Sequence, residues 1–348
     1  MTEQAPLLSI CIPTYNRARW IRRSLAAWMP QVRAAEGLVE LVVSDNCSTD
    51  ETPEVIREAL QHGEFRYNRN SSNIEGGPNM QKLASELARG EFVWLMGDDD
   101  IPYHDVVERI LNILRTHPEI DYVYANYSFL RVAEVDINKV GQAAMEAHCP
   151  PVGDDLRVRF VPQLKELVGI NMNCFTPIYC SIMRRPMAAE AFKYSTDEAF
   201  STVRSVAAHA VYIAHNLFNR PAFYMGQPCL MVSDDGSWPE YLPIYYLTIL
   251  PKIYDLFLEA GADSGAVQKL RKAWITDAGV PIWQMMSGQH VMLRERLSLW
   301  RFFFRYRRYP KLWGIFADLG LRYLVNRLPP SQIARIKKLR RTLRSRSG

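Results

Sequence analysis

From residue 7 to 125, short apolar runs of β-favouring residues alternate with amphipathic stretches. The runs LLSICI (7–12), VELVVS (39–44), EFRY (64–67), EFVWLM (91–96) and DYVYAN (121–126) predict strands. Between them, Trp20, Ile21, Leu25 and Trp28 recur at helical spacing. So do Val55, Ile56, Ala59 and Leu60, and then Met80, Leu83, Ala84 and Leu87. This alternation predicts an α/β fold with a doubly wound, mostly parallel sheet. The pattern weakens from 130 to 175, where Pro150, Pro151 and Gly153 mark a loop. FTPIYCSIMRR (175–185) predicts a further strand, and residues 202–217 predict a helix. Residues 241–325 read as helical and aromatic, ahead of a basic tail ending RIKKLRRTLRSRSG.

In an open parallel sheet, ligands bind beyond the carboxyl ends of the strands. Three polar clusters lie there. Pro13, Thr14, Tyr15, Asn16 and Arg17 follow the first strand, Asp45 and Asn46 the second, and Asp98, Asp99 and Asp100 the fourth. The aspartate triplet has two compatible readings. As a helix cap, its acids favour the dipole of a helix carrying Val106, Val107, Ile110 and Leu111, with Pro102 in the first turn. As a cation site, the adjacent carboxylates supply the hard oxygen donors that Mg²⁺ takes beside substrate phosphates. Asp45 is likewise either part of a turn ahead of a capped helix or a ligand group that accepts the ring N–H of a nucleobase.

Composition narrows the class. With 348 residues, 48% of them hydrophobic, the chain buries a full core as one large domain, or as one domain with an appended lobe. The net charge of +5 is unevenly spread: residues 291–348 hold 16 basic residues against two acids, leaving the rest net acidic. Six scattered cysteines without CxxC spacing suit a reducing compartment. The N-terminal residues show no secretory pattern, and the apolar stretch 241–257 is cut by Pro243, Pro251 and Lys252. The expectation is a cytoplasmic chain.

The segments SICIPTYNRARWIRRSL, VVSDNCSTDET and NIEGGPNMQKLASELARGEFVWLMGDDD together resemble the family 2 glycosyltransferases of the GT-A fold. Within that family the likeness is to abequosyltransferase-like enzymes of bacterial O-antigen or capsule assembly. It covers residues 7–125 and is loose beyond 130. It implies a Rossmann-like GT-A catalytic domain over 1–235, with a nucleotide-binding half (1–126) and an acceptor-binding half (127–235). A helical C-terminal region (236–328) and a basic tail (329–348) follow.

Carried over by position, the resemblance places Pro13, Thr14, Tyr15 and Arg17 around the base, with Asp45 on its ring N–H. Asn73, Gly76 and Asn79 match a region that shapes the floor of the donor pocket. Asp98 and Asp99 are expected against the nucleotide, and Asp98, Asp99 and Asp100 at a Mg²⁺ or Mn²⁺ ion. Gly97 stands where the family's first acid usually lies, which leaves the metal ligand unassigned among the three.

The implied reaction is inverting transfer of one sugar from a nucleotide-diphosphate sugar, with charge on the leaving diphosphate offset by metal and arginine. A base must take the acceptor's proton. The family's Glu-Asp pair has no clear counterpart here, so Asp197, Glu198 and His209 are the candidates, His209 competing with a packed helix-face role. Asp234, Asp235 and Gly236 form either a plain turn or a loop over the donor.

The basic C-terminal region has three readings: a solvated helix end, a nucleic-acid surface without any recognised motif, or a membrane surface. Its interleaved aromatic and basic residues favour the last, with anionic lipid as partner and a polyprenyl-linked glycan as acceptor. The expected place is cytoplasmic, peripheral on the inner membrane, with no nucleic-acid partner. A second hypothesis is a non-catalytic nucleotide-sugar-binding component of a glycan assembly complex. A nucleotidyltransferase is disfavoured, because PTYNRARW is not a glycine-rich, lysine-bearing phosphate loop.

Overall fold

The computed structural model describes residues 5–63, 65–131, 141–193, 200–233, 241–287, 298–325 and 327. Two compact units divide the chain, one of residues 1–237 with 252–267 and the other of 238–251 with 268–348.

The first unit starts as the hydrophobic pattern predicts. Strand β1 (Leu8–Thr14), helix α1 (Ala18–Ala34), β2 (Val39–Asp45), α2 (Thr52–Leu60), β3 (Arg66–Arg69), α3 (Gly76–Lys82) and β4 (Phe92–Leu95) follow one another. The predicted α1 stripe of Trp20, Ile21, Leu25 and Trp28 is buried, and Trp28 meets Trp94 of β4 edge-on at 5.5 Å. Val55, Ile56, Leu83 and Ala84 are also buried, whereas Leu60 at the end of α2 is exposed.

The strand order is β3-β2-β1-β4, all parallel, so four carboxyl ends lie along one edge. Register sets Thr14 beside Asp45 and Asp45 beside Arg69. Strand β3 runs two residues beyond the predicted EFRY. Its end consists of the polar Asn68 and Arg69, which no apolar pattern marks, and cross-strand bonds hold it: Asn68 Nδ2 donates to Ser44 Oγ at 3.1 Å.

Beyond β4 the chain continues through β5 (Ile101–Pro102), α4 (Val106–Thr116), β6 (Tyr122–Leu130), α5 (Gln142–His148), β7 (Val158–Val161), β8 (Ser181–Arg184), α6 (Arg185–Ala191), α7 (Arg204–Asn216) and β9 (Ala222–Ser233). The sheet extends as β4-β8-β6-β9-β5, with β7 also on β9. Strand β8 enters antiparallel to both β4 and β6, while β6 and β9 are parallel. The α/β expectation holds, with the parallel order strictest in the half that carries the three loops.

Three local expectations change. The predicted strand 175–185 is extended only over β8, because Phe175 has a positive φ of 62° and Pro186 opens α6. Pro102 belongs to β5, paired with Leu230, and α4 begins four residues later after Asp105, so the aspartate triplet does not cap that helix. Strand β9 gave no sequence signal because Gly226 and Pro228 interrupt it. A Cβ on Gly226 would come within 2.5 Å of the carbonyl oxygens of Asp155 and Arg157.

In the helical region follow α8 (Leu242–Ile244), α9 (Leu250–Glu259), α10 (Ser264–Asp277), α11 (Gly279–Ser287), α12 (Leu299–Tyr306) and α13 (Pro310–Val325). Within the second unit, Trp274 packs against Phe302 at 5.7 Å and Tyr306 at 4.8 Å, which seats α12. No helix among the described residues is long and apolar enough to cross a membrane. The tail 329–348 lies outside the described residues.

Candidate functional site

Each loop at the carboxyl edge is fixed by side chains from its neighbours. After β1 the chain turns through Asn16 at φ 54°, a left-handed conformation that asparagine tolerates. Asn16 Oδ1 accepts from the Thr49 N–H at 2.8 Å, its own N–H donates to Ser48 Oγ at 2.9 Å, and the Arg17 N–H donates to Thr52 Oγ1 at 2.9 Å. The first and second loops are therefore one hydrogen-bonded unit. Pro13 sits in the β1–β2 ladder opposite Ser44, while Tyr15 is 42% exposed at the rim.

The aspartates join this unit through Thr14 and Arg17. Thr14 Oγ1 donates to Asp98 Oδ2 at 2.6 Å. The Arg17 guanidinium bridges two acids, with Nε 3.3 Å from Asp98 Oδ1 and Nη2 2.5 Å from Asp99 Oδ2. Asp100 turns inward, and its Oδ2 accepts from the Gly97 N–H at 2.7 Å. Asp98 and Asp100 are buried, while the Asp99 side chain retains 17% exposure.

Crowding shows in their acidity. Burial, and then the charge of Asp99, pushes the Asp98 carboxyl up to about 7 against the pull of Thr14 and Arg17. The same two causes hold Asp100 well above the ordinary carboxylate range. Gly97 belongs to this geometry: a Cβ there would lie 2.7 Å from Asp99 Oδ1 and 3.2 Å from Asp100 Oδ2. An acid at position 97 would require Asp99 to swing away.

Asp45 is fully buried and well partnered. Its Oδ1 accepts from the Ser48 N–H at 2.8 Å, and its Oδ2 accepts from Tyr67 Oη at 3.0 Å, with Arg69 Nε at 3.2 Å. Tyr67 and Arg69 are the residues that sequence reasoning missed. Their signal was the polar end of β3, on the same edge as the other clusters. Arg69 is half exposed and also donates to the Ser48 carbonyl at 2.8 Å.

The three residues expected at the pocket floor separate. Asn79 is buried: its Oδ1 accepts from Ser44 Oγ at 2.7 Å and Asn70 Nδ2 at 3.0 Å, and its Nδ2 donates to the Ser44 carbonyl at 3.0 Å. This side chain clamps the end of β2, so a direct ligand contact is replaced by a positioning role. Asn73 is exposed and joins through Asn46, whose Nδ2 donates to Asn73 Oδ1 at 2.7 Å. Gly76 is exposed, with open space where a Cβ would project. A cleft of about 440 Å³ beside α1 and α2 is lined by Asn16 and Arg17 of the first polar cluster but by none of the aspartate triplet.

The base candidates fare differently. Asp197 and Glu198, like Asp234, Asp235 and Gly236, lie outside the described residues. His209 on α7 is in the core, 1% exposed and stacked on Phe192 at 5.4 Å, with Nε2–H donating to the Thr176 carbonyl at 2.9 Å. Burial pushes its imidazole down to about 4. A ring so enclosed does not reach an acceptor hydroxyl, so the packed-helix role replaces the base role.

A stability consequence follows. A histidine held neutral contributes stability above its unfolded pKa near 6.5, and that contribution is lost as pH falls from 6.5 through about 4. The expected loss is roughly 3 kcal/mol by pH 4 from this residue. Urea unfolding at neutral and acid pH should show a shallower pH slope in His209→Phe than in the parent chain; equal slopes would rule the account out.

Among known proteins, the family model described as Glycosyl transferase family 2 matches residues 9–138. Abequosyltransferase RfbV of Salmonella typhimurium is 36% identical over 117 residues, 33% of this chain and 34% of that protein. Validoxylamine A glucosyltransferase of Streptomyces hygroscopicus subsp. jinggangensis is 50% identical over 66 residues, 19% of this chain and 15% of that protein. The chain thus spans a minor part of the length of both relatives. Among solved structures, S. aureus TarS superposes with a TM-score of 0.51 at 18% identity, over 77% of this chain and 43% of that one. Its fragment 1-349, solved with UDP-GlcNAc, gives 0.51 at 16% identity over 90% and 80%. These likenesses agree with the GT-A fold. Over residues 9–138 this chain is similar to the family 2 glycosyltransferases.

Proposed function

We propose that the chain is an inverting, metal-dependent glycosyltransferase that moves one sugar from a nucleotide-diphosphate donor to a lipid-linked glycan during assembly of a bacterial surface polysaccharide. The observation that carries it is the hydrogen-bonded edge of Thr14, Arg17, Asp45, Asp98 and Asp99 inside the region similar to family 2. Similarity to an abequosyltransferase supports the surface-glycan setting.

In this reading the exposed Tyr15 ring and the Arg69 guanidinium border the base, and Asp45 works mainly by fixing Tyr67, Arg69 and the Ser48 N–H. Pro13 and Asn79 hold the ends of β1 and β2, and Asn73 and Gly76 line the outer rim.

The oxygen donors of Asp98, Asp99 and Asp100 suit Mg²⁺ or Mn²⁺ by type, although among the described residues no three such groups are already arranged around an ion position. Three neighbouring carboxylates offer hard oxygen ligands, and the upward-shifted pKa values of Asp98 and Asp100 arise from burial first and then from the charge of Asp99, which Arg17 offsets only in part. Asp99, the outward-facing acid, is the first ligand candidate, with Asp98 and Asp100 behind it. When bound, such an ion neutralises charge on the departing diphosphate. Arg17 serves the same end from the protein side, and Asp197 or Glu198 takes the acceptor's proton. The place of action is the cytoplasmic face of the inner membrane, which the chain meets peripherally through its basic C-terminal region. The acceptor is a polyprenyl-linked glycan.

The buried His209 favours keeping a second reading, a non-catalytic binder of nucleotide sugars within an assembly complex. Calorimetric titration with UDP-, GDP-, CDP- and dTDP-sugars, followed by acceptor and mass analysis of the product, separates the two. Turnover of one donor establishes the transferase; binding without turnover for every acceptor establishes the binder.

A further inference from the structure

Helix α12 carries a surface that the donor site does not explain. It buries Phe302, Phe303 and Tyr306, yet Trp300 is 72% exposed and Phe304 55% exposed. Those two rings stand one helical turn apart with centroids 6.3 Å from each other. Across the turn into α13, Trp313 is 55% exposed, held outward by its Nε1–H bond to the Arg307 carbonyl at 2.7 Å and by edge contact with Phe303 at 4.7 Å. Three large aromatic faces in water on neighbouring turns are unusual for a surface that meets only solvent.

Charge decides what fits them. From Ser298 to Ala317 the chain holds four arginines and one lysine and no acid. Arg301 and Arg305 repeat the four-residue spacing of Trp300 and Phe304, one position on, so a basic stripe borders the aromatic one; both arginines are exposed. A protein partner would need a complementary acidic and apolar face. An anionic bilayer offers both properties at once, with phosphates at the level of the guanidinium groups and acyl carbon below. Indole and phenyl rings partition into that interface, while long basic side chains reach back to the headgroups. At eight residues, α12 is too short to cross a bilayer.

We infer that α12 and the start of α13 form an interfacial wedge that inserts Trp300, Phe304 and Trp313 into an anionic lipid surface, with Arg301 and Arg305 on lipid phosphates. This deepens the membrane-surface part of the proposed function: it names the inserted residues and gives the described helices, beside the basic tail, a binding role. It is independent of the donor chemistry.

The full chain is mixed with vesicles of phosphatidylcholine and phosphatidylglycerol, with and without brominated acyl chains. Wild-type tryptophan emission should be quenched by brominated lipid, and partition should exceed that onto pure phosphatidylcholine. Trp300→Ser with Phe304→Ser should weaken partition at least about tenfold. Arg301→Gln with Arg305→Gln should remove part of the salt-sensitive binding while leaving circular dichroism unchanged. Because the substituted rings are exposed, nucleotide-sugar binding by the same variants should stay at the parent level, so failure of the wedge and failure of the donor reading are distinguishable. Absent quenching, unchanged partition in the aromatic variant, or a wild-type dimer that this variant dissolves without any loss of lipid binding would each overturn the inference.

Discussion

Asp99→Asn is expected to lower sugar transfer by about 10²–10³-fold while leaving the chain folded, on the scale of removing one preorganised electrostatic contact to developing charge. Asp99 is the most exposed of the three acids, and its Oδ2 meets Arg17 at 2.5 Å. The substitution keeps shape and hydrogen-bonding capacity but deletes the charge that pushes both Asp98 and Asp100 upward. Relief of that crowding gives the prediction a second sign: near neutral pH and without divalent metal, the variant should be at least as stable as the parent. Product formation and thermal unfolding on one preparation check both. Undiminished transfer would remove Asp99 from the reaction, and a large loss of stability would mean that its charge holds the loop together.

Arg17→Gln is expected to act in the opposite direction on stability. Removing the guanidinium leaves Asp98 and Asp99 facing one another without their shared partner, a loss of about 2–4 kcal/mol for a partly buried pair. The pH dependence has a definite sign. A carboxyl whose folded pKa is raised, as that of Asp98 is to about 7, favours the folded state while protonated; that advantage fades as pH climbs from its unfolded value near 4 through 7. Arg17 holds the folded value down, so its loss raises that value further and steepens the decline. In metal-free buffer the stability gap between parent and variant should therefore be wider at pH 8 than at pH 5. Denaturant titrations at both values test this, and an equal gap would show that Arg17 acts by packing against Trp20, 5.7 Å from its guanidinium carbon, rather than by charge. Transfer should fall as well, since the same cation faces the departing diphosphate in the proposed reaction.

Much of the site was legible because strand ends are local events. An apolar run stopping at Thr14, Asp45 or Leu95 is visible in a few residues, and parallel order then places all three stops on one edge. The two halves of the sheet differ in legibility for the same reason. Strands β1, β2 and β4 are dominated by apolar β-favouring residues, and polar β3 sits directly beside β2, whereas β9 is broken by Gly226 and Pro228 and gains its identity only from pairing with β5, β6 and β7.

By itself, the sequence determined the α/β class, the buried helix stripes and the three loops that carry Thr14 with Arg17, Asp45 and the aspartate triplet. Each of these is written in residues a few positions apart, where periodicity and chain termination are decided. Tertiary structure alone decided which of those groups still face outward. It put Tyr67 and Arg69 on Asp45, spent Asn79 on the end of β2, set Arg17 between Asp98 and Asp99, and enclosed His209 against Phe192. The physical reason is that burial and hydrogen-bond partnership are settled by segments far away in sequence, 22 residues for Tyr67 on Asp45 and 84 for Thr14 on Asp98. A side chain's chemistry depends on that company as much as on its type.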